Sequence, residues 1–201
     1  MNVFRTRLSA VVCLSVAAAA PIARGGVDSI TITDGTVDFT LNNLTASAVG
    51  STNGLCNFRT NLDSTPVDHA LQNWFWFRNT DDSRERALSN QTLSGDSVNH
   101  ARLTYVEASD DGANPNALLV ELEYTLHDLS NGGAPQALLV IAFKLQNLTD
   151  APLNVQFFNY NDFDLDGSSG GDSAVVIGAD DQTHLVSDGN DELAYSCSGT
   201  N

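Results

Sequence analysis

The strongest pattern in the sequence is a strict alternation of side-chain types in two neighbouring segments. The first, ALLVELEYTLH at residues 117–127, places leucine, valine and tyrosine on one face and mostly glutamate, threonine and histidine on the other. The second, ALLVIAFKLQN at 137–147, has the same period. Successive side chains of a β-strand point to opposite faces, so this period predicts two long strands. LNVQFF, which begins at Leu153, predicts a third.

The connections between these strands, SNGGAP at 130–135 and NLTDAP at 147–152, are rich in turn-forming residues. Short turns between successive strands predict an antiparallel meander. Weaker strand candidates are SITIT at 29–33, VDFTL at 37–41, NWFWF at 73–77, HARLTYV at 100–106, SAVVIG at 173–178 and THLVS at 183–187. The best helix candidate is DDSRERALSNQ at 81–91. We therefore predict an all-β fold, an antiparallel two-layer β-sandwich with long central meander strands; a closed β-barrel is the alternative.

The first 25 residues have the three-part pattern of a secretory signal peptide. Arg5 and Arg7 precede an uncharged apolar run that extends to Ala20, and small residues at Ala23 and Gly25 suit a cleavage site. We predict a signal peptide at 1–25, a single β-sandwich domain at 26–201, and a secreted, extracellular or periplasmic protein. No later apolar run is long enough to cross a membrane, so no transmembrane segment is expected.

The chain is strongly acidic, with a formal net charge of −16. Loss of the signal peptide would remove Arg5, Arg7 and Arg24 but no acid, so the mature chain would be more acidic still. Nucleic acid and anionic membranes are poor partners for such a chain because both carry negative charge, so we expect no nucleic acid partner. Polysaccharide and other cell-surface components are the partner classes that we expect.

Two cysteines remain once the predicted signal peptide, which contains Cys13, is removed. Cys56 and Cys197 form an even pair in an oxidising compartment. We predict a disulfide between them, with two free thiols as the alternative.

The segment NYNDFDLDGSSGGDS, residues 159–173, contains Asp-x-Asp-x-Asp-Gly, the opening of a calcium-binding loop. An EF-hand would need glutamate at Ser173 and flanking helices, and both are missing. Asp162, Asp164 and Asp166 instead share one parity of a predicted strand, and Asp172 ends the glycine-serine loop that follows. Neighbouring carboxylates favour a hard cation, so we predict a calcium site whose metal ligands are Asp162, Asp164, Asp166 and Asp172. A solvated acidic strand edge is the alternative.

NWFWF is the densest aromatic stretch of the chain. Alternation places Trp74 and Trp76 on one strand face and Phe75 and Phe77 on the other. One face would then be a glycan platform on Trp74 and Trp76 while the other enters the core; burial of both faces is the alternative.

No catalytic residue and no cofactor other than calcium is predicted. The sequence has no His-x-x-x-His, Cys-x-x-Cys or Gly-x-Ser-x-Gly motif. Glu121 and Glu123 share a strand face, which fits a glycosidase pair but also fits ordinary solvent-facing residues of an antiparallel sheet.

Residues 118 to about 193 resemble uncharacterised secreted bacterial β-sandwich proteins, including those that carry a PEP-CTERM sorting tail. In these proteins a long-stranded sheet leads into a Tyr-x-Asp-x-Asp-Leu segment, whose counterparts here are Tyr160, Asp162, Asp164 and Leu165. The sorting tail itself is missing after the acidic segment, so we expect a freely secreted product or a truncated sequence. The resemblance implies a role in the extracellular matrix or envelope and implies no reaction.

Three functional hypotheses follow from these patterns. The first is a secreted non-enzymatic protein of the extracellular matrix or cell surface, stabilised by calcium. The second is a carbohydrate-binding module, and the third is a glycan-acting enzyme.

Overall fold

The computed structural model describes residues 28–42, 44, 54–79, 84–89, 91–107, 117–165, 171–177, 183–187 and 192–196. Within these residues the chain forms fourteen β-strands and no α-helix. The strands are β1 (Ser29–Asp34), β2 (Val37–Asn42), β3 (Cys56–Thr60), β4 (Val67–Asp68), β5 (Gln72–Asn79), β6 (Arg86–Ala87), β7 (Gln91–Ser97), β8 (His100–Glu107), β9 (Leu118–Asp128), β10 (Ala137–Asn147), β11 (Val155–Asp162), β12 (Ser173–Ile177), β13 (Thr183–Ser187) and β14 (Glu192–Ser196). The predicted signal peptide lies outside the described residues, and the single domain stays a prediction.

The strands form four antiparallel sheets, and none of them closes on itself. One sheet, which we call the meander sheet, has the order β10-β9-β8-β7. The other three have the orders β1-β2-β3-β4, β11-β5-β6 and β12-β13-β14. The β1–β4 and β5 sheets meet where Leu55 bridges Gln72 and where Asn73 N donates to Gly54 O at 3.0 Å. The predicted all-β, sandwich-like fold is therefore confirmed.

Aromatic contacts join the meander sheet to the other layer. Phe39 of β2 stacks on Tyr124 of β9, with ring centroids 5.8 Å apart. Trp74 of β5 meets Tyr105 of β8 edge to face at 6.2 Å. The opposite layer covers the inner face of β8 and β9, and the residues on that face are all buried: Ala101, Leu103, Tyr105, Leu118, Val120, Leu122, Tyr124 and Leu126.

The prediction that the three long strands form one meander is wrong for the third. β10 pairs with β9 as expected, but β11 pairs with β5 in the opposite layer. The register places Phe157 beside Phe77 and Phe158 beside Trp76, so β11 matches aromatic side chains with β5. The meander consists of β7, β8, β9 and β10, and β11 crosses over.

The best helix candidate, residues 81–91, forms no helix in the part that the structure describes. Arg86–Ala87 forms the short strand β6 and pairs with Trp76 and Phe77 of β5. Leu88 has no exposed surface. Burial against β5 outweighs the weak helical preference of a segment that lacks an apolar stripe.

In the described ranges, nothing forms a helix with the length and apolar character needed to cross a membrane.

Asp128, at the end of β9, connects the two layers at one end of the sandwich. Its Oδ2 accepts hydrogen bonds from Thr36 N at 2.8 Å and Thr36 Oγ1 at 3.0 Å, in the turn between β1 and β2. Its Oδ1 accepts one from Ser130 N at 2.8 Å. Gly35 has a φ of +52° and no side chain, which lets the carboxylate lie against the turn. These donors hold the pKa of Asp128 far below its usual range, the hydrogen bonds of Ser130 and Thr36 being the main cause.

We expect Asp128→Ala to lower the melting temperature by a few degrees at pH 7. Because the folded pKa is depressed, the stabilisation is fully present above the usual aspartate pKa of about 3.9 and is lost as the pH falls below it. Calorimetry from pH 7 to pH 3 should therefore show that the difference in melting temperature between parent and variant becomes smaller. Asp63→Ala, a change to an exposed acid near the same turn, is the matched control. A difference in melting temperature that does not change with pH would contradict the charge-assisted role of Asp128.

Candidate functional site

Three aspartates influence the charge of Asp164, and we call the four residues the carboxylate cluster. Asp162 is the last residue of β11, Asp164 follows two residues later, and Asp172 comes just before β12. The fourth, Asp68, is in β4. Asp162 and Asp172 lie near enough to Asp164 to raise its pKa, while Asp166, the fourth predicted ligand, lies outside the described residues.

The backbone turns inward directly after β11. The acidic strand face predicted for Asp162, Asp164 and Asp166 is wrong at Asp164, because β11 ends at Asp162; Asp166 lies outside the described residues. Phe163 packs against the core, and Leu165 has no exposed surface. Burial of these two apolar side chains fixes the chain on which Asp164 lies.

Asp68 joins the cluster through a backbone contact that sequence reasoning did not foresee. Leu71 N donates to Asp162 O at 2.9 Å, which brings the segment after β4 to the end of β11. Asp68 Oδ1 accepts a hydrogen bond from Phe58 N at 3.0 Å, and Asn57 Nδ2 donates to Oδ2. No spacing in the sequence signals this approach, because it depends on the pairing of distant strands.

The cluster is electrostatically strained. The pKa of Asp164 is raised above its usual value, first by partial burial. The neighbouring carboxylates raise it further, in the order Asp162, Asp172 and Asp68. Asp172 Oδ1 is buried and has no hydrogen-bond partner. The groups that shift the pKa of Asp164 are thus all negative, and one oxygen of the cluster lacks a donor.

The fit of a metal ion to these residues is partial. In the described part of the chain, no three Asp, Glu, His or Cys side chains are grouped so that they could hold a metal ion. The buried oxygen of Asp172 and the raised pKa of Asp164 are what a cation would relieve. Calcium also accepts backbone carbonyls and water as ligands, so carboxylates need not supply its whole coordination shell.

Cys56 lies next to the cluster, is buried, and forms no disulfide with another described residue. Its Sγ donates to Ala70 O at 3.8 Å. Burial raises the pKa of this thiol to about 12, with smaller contributions from Asp68 and Asp162. Cys197 lies outside the described residues, so the Cys56–Cys197 disulfide stays a prediction.

The two tryptophans differ in exposure. Trp74 is 1% exposed, and Gly54, with a φ of +67°, packs directly on its ring. Its ring is therefore enclosed in the core and offers no flat surface to a ligand. Trp76 is half-buried beside Tyr160, with ring centroids 5.7 Å apart. A glycan platform now depends on Trp76 with Tyr160 rather than on the two tryptophans together.

The carboxylates on the outer face of the meander sheet lie in ion pairs. Lys144 Nζ is 2.9 Å from Glu121 Oε2, and Arg102 pairs with Glu123. An open pocket of about 470 Å³ lies near Asp128, and its lining includes Thr36, Asn61, Asp63, Ser130 and Asn131. The Asp128 carboxylate beside it is already engaged by Thr36 and Ser130. The ion pairs are explained by their contribution to the stability of the meander sheet, and the hydrogen bonds of Asp128 by their contribution to the stability of the turn.

No protein-family model, curated protein or solved structure matches this chain. The resemblance of residues 118–193 to secreted bacterial β-sandwich proteins therefore stays a prediction.

We expect Asp164→Asn to raise the melting temperature at pH 7 in EDTA, because it removes a charge that its neighbours oppose. A raised folded pKa means that the carboxylate costs stability above that pKa and costs nothing well below the usual value of about 3.9. The increase in melting temperature over the parent should therefore become smaller as the pH falls towards 3. Asp150→Asn, in an exposed turn, is the control for the general effect of lowering the net charge. A lower melting temperature for Asp164→Asn in EDTA would show that its neighbours do not oppose the charge.

Proposed function

We propose that this protein is a secreted, non-enzymatic β-sandwich protein of the extracellular matrix or cell surface, and that a calcium ion stabilises it at the carboxylate cluster. The location is supported by the signal-like pattern of residues 1–25 and by the acidic composition of the chain. The observation that carries the calcium proposal is the set of mutually repelling carboxylates around Asp164, together with the unpartnered oxygen of Asp172.

Calcium suits this cluster better than a softer metal ion. The groups available are carboxylate and backbone oxygens, and hard cations prefer oxygen ligands. The proposed ligands are Asp162, Asp164, Asp172 and Asp166, the last of which lies outside the described residues. Because no three acidic side chains of the described residues are grouped to hold an ion, backbone carbonyls and water would complete the coordination shell. The bound ion would connect the end of β11 to the start of β12, two elements of different sheets.

The acidic composition fits this role. Ten carboxylates lie between Asp150 and Glu192, and no lysine or arginine follows Lys144. Such a segment repels itself unless cations or salt offset its charge. Extracellular fluids supply millimolar calcium in many settings, so a weak site would suffice there.

Thermal unfolding of residues 26–201 in EDTA and in millimolar calcium tests the proposal. A ligand that binds only the folded state at about a hundredfold excess over its dissociation constant adds about 2.7 kcal/mol, which raises the melting temperature by about 5–10 °C in a protein of this size. We expect this increase for the parent and for Asp150→Asn, and no increase for Asp164→Asn.

The same measurement in magnesium distinguishes a specific calcium site from general screening of negative charge. Magnesium demands regular octahedral geometry and releases its water reluctantly, so we expect a much smaller shift at the same concentration. Equal shifts from calcium, magnesium and matched ionic strength would show only that salt screens the acidic segment. The absence of any shift in the parent would remove calcium from the proposal and leave the location to be tested by secretion.

Carbohydrate binding is the second candidate, favoured by the half-buried pair Trp76 and Tyr160 on β5 and β11. β5 begins and β11 ends close to the carboxylate cluster, because Gln72, the first residue of β5, pairs with Asp162. Aromatic rings beside polar groups are a common arrangement for stacking sugar rings.

The Trp74→Phe variant leaves Trp76 as the single tryptophan, because the chain contains only two. If the second candidate is right, we expect neutral polysaccharides to change the fluorescence of this variant, and we expect Trp76→Ala to bind polysaccharide at least about tenfold more weakly than the parent. Trp76→Phe, which keeps a ring at the same position, should retain part of the binding. Unchanged fluorescence across a polysaccharide panel would contradict the platform.

A glycan-acting enzyme is the third candidate. The acids that suggested it, Glu121 and Glu123, are each held by a cation on a neighbouring strand. Glycan turnover abolished by Glu121→Gln would be needed to favour it.

A further inference from the structure

The strand β10 is a long edge strand of the meander sheet. It pairs with β9 over its full eleven residues without a register shift. On its other side no described strand pairs with it. Its inner face is half-buried against the core, and its outer face exposes Leu138 and Val140 by 46% and 42%. A long, regular edge strand with apolar residues on both faces is a template for another strand.

The backbone groups that face outward can be identified from the bonds at both ends of the hairpin. Leu129 N donates to Gln136 O, and Leu148 N donates to Ala117 O, both at 2.9 Å. The even-numbered residues of β10 therefore direct their N–H and C=O groups towards β9, since hydrogen-bonded pairs alternate along an antiparallel ladder. The odd-numbered residues, from Ala137 to Asn147, direct theirs towards the free edge.

The usual protections of an edge strand are missing from β10. It contains no proline and no bulge, and its one charged residue, Lys144, already pairs with Glu121. The opposite edge of the same sheet differs, because β7 has a register shift between Leu93 and Gly95. A bulge of this kind twists an edge away from flat pairing.

The distribution of charge identifies the partner. The chain carries −16 overall, yet no acidic residue lies between Asp128 and Asp150. Residues 129–149 therefore bring no carboxylate of their own to a contact between two copies of this acidic protein. The strand is also its own complement, because outward-facing residues pair with outward-facing residues when a second copy runs antiparallel.

We propose that β10 pairs with β10 of a second copy about a two-fold axis at Ala142, which joins the two four-stranded meander sheets into one continuous sheet. This register alone pairs every residue of the strand. It places Leu139 opposite Leu145 of the second copy and Ile141 opposite Phe143, all with outward-facing backbone groups. On the outer face, Val140 lies opposite Lys144, and the small Ala142 meets its own copy on the axis.

Light scattering coupled to size exclusion on residues 26–201 measures the association. We expect a dimer in the parent, and we expect Ala142→Lys to dissociate at least about tenfold more readily, because it places two like charges opposite each other in a closely spaced pair. Mixing Ala142→Lys with Ala142→Glu should restore a dimer that contains one copy of each, which would locate the axis. Thr125→Lys, on the same face but one strand away from the edge, should leave the dimer intact.

Amide hydrogen exchange by NMR gives a readout that does not depend on mass. Even-numbered β10 amides should be protected in every sample, whereas those of Leu139, Ile141 and Phe143 should be protected in the parent and exposed in Ala142→Lys. A parent that is monomeric at all concentrations overturns the proposal. Protected odd-numbered amides in that monomer would mean that another segment of the chain covers the edge. A dimer that survives Ala142→Lys with these amides exposed would place the interface elsewhere.

Discussion

The buried face of β9 is the constraint on which the rest of the structure depends. Its alternate residues from Leu118 to Leu126 are at most 4% exposed, which is possible only if a second layer covers them. The β1–β2 hairpin and β5 supply that cover through Phe39 and Trp74. The opposite face of β9 is left to solvent and carries its charges in pairs across neighbouring strands. A strict period of two thus determines which residues of β9 enter the sandwich and which face solvent.

Local pattern predicted strands well and their partners poorly. β10 begins and ends at the residues expected from its alternation, and β9 is displaced by one. The third long strand was assigned to the wrong sheet, because partner choice depends on matching aromatic residues far apart in sequence. Short strands such as β4 and β6 carry no periodicity of their own. They exist because a neighbouring strand offers hydrogen bonds.

The candidate site was predictable only where its residues are close in sequence. Asp162, Asp164 and Asp172 come from one segment, whereas Asp68 arrives through the bond between Leu71 and Asp162. The tryptophans illustrate a different limit. Alternation placed Trp74 and Trp76 on one face, but burial differs along that face because Trp74 lies under β8 and Gly54. Sequence period assigns a face to a residue and does not say how much of that face is covered.

The net charge of the protein links the carboxylate cluster to the unpaired edge of β10. The carboxylate cluster concentrates repulsion at the end of β11, whereas β10 and the residues on either side of it, 129–149, contain no carboxylate. A cation bound at the cluster would lower the net charge of each copy and so ease the approach of two edges. Salt would act in the same direction, since repulsion between exposed charges is screened over about 8–10 Å at moderate ionic strength. Edge pairing in this protein is therefore governed by ionic conditions as well as by strand geometry, because its hydrogen bonds form only after two acidic molecules come within a few ångströms of each other.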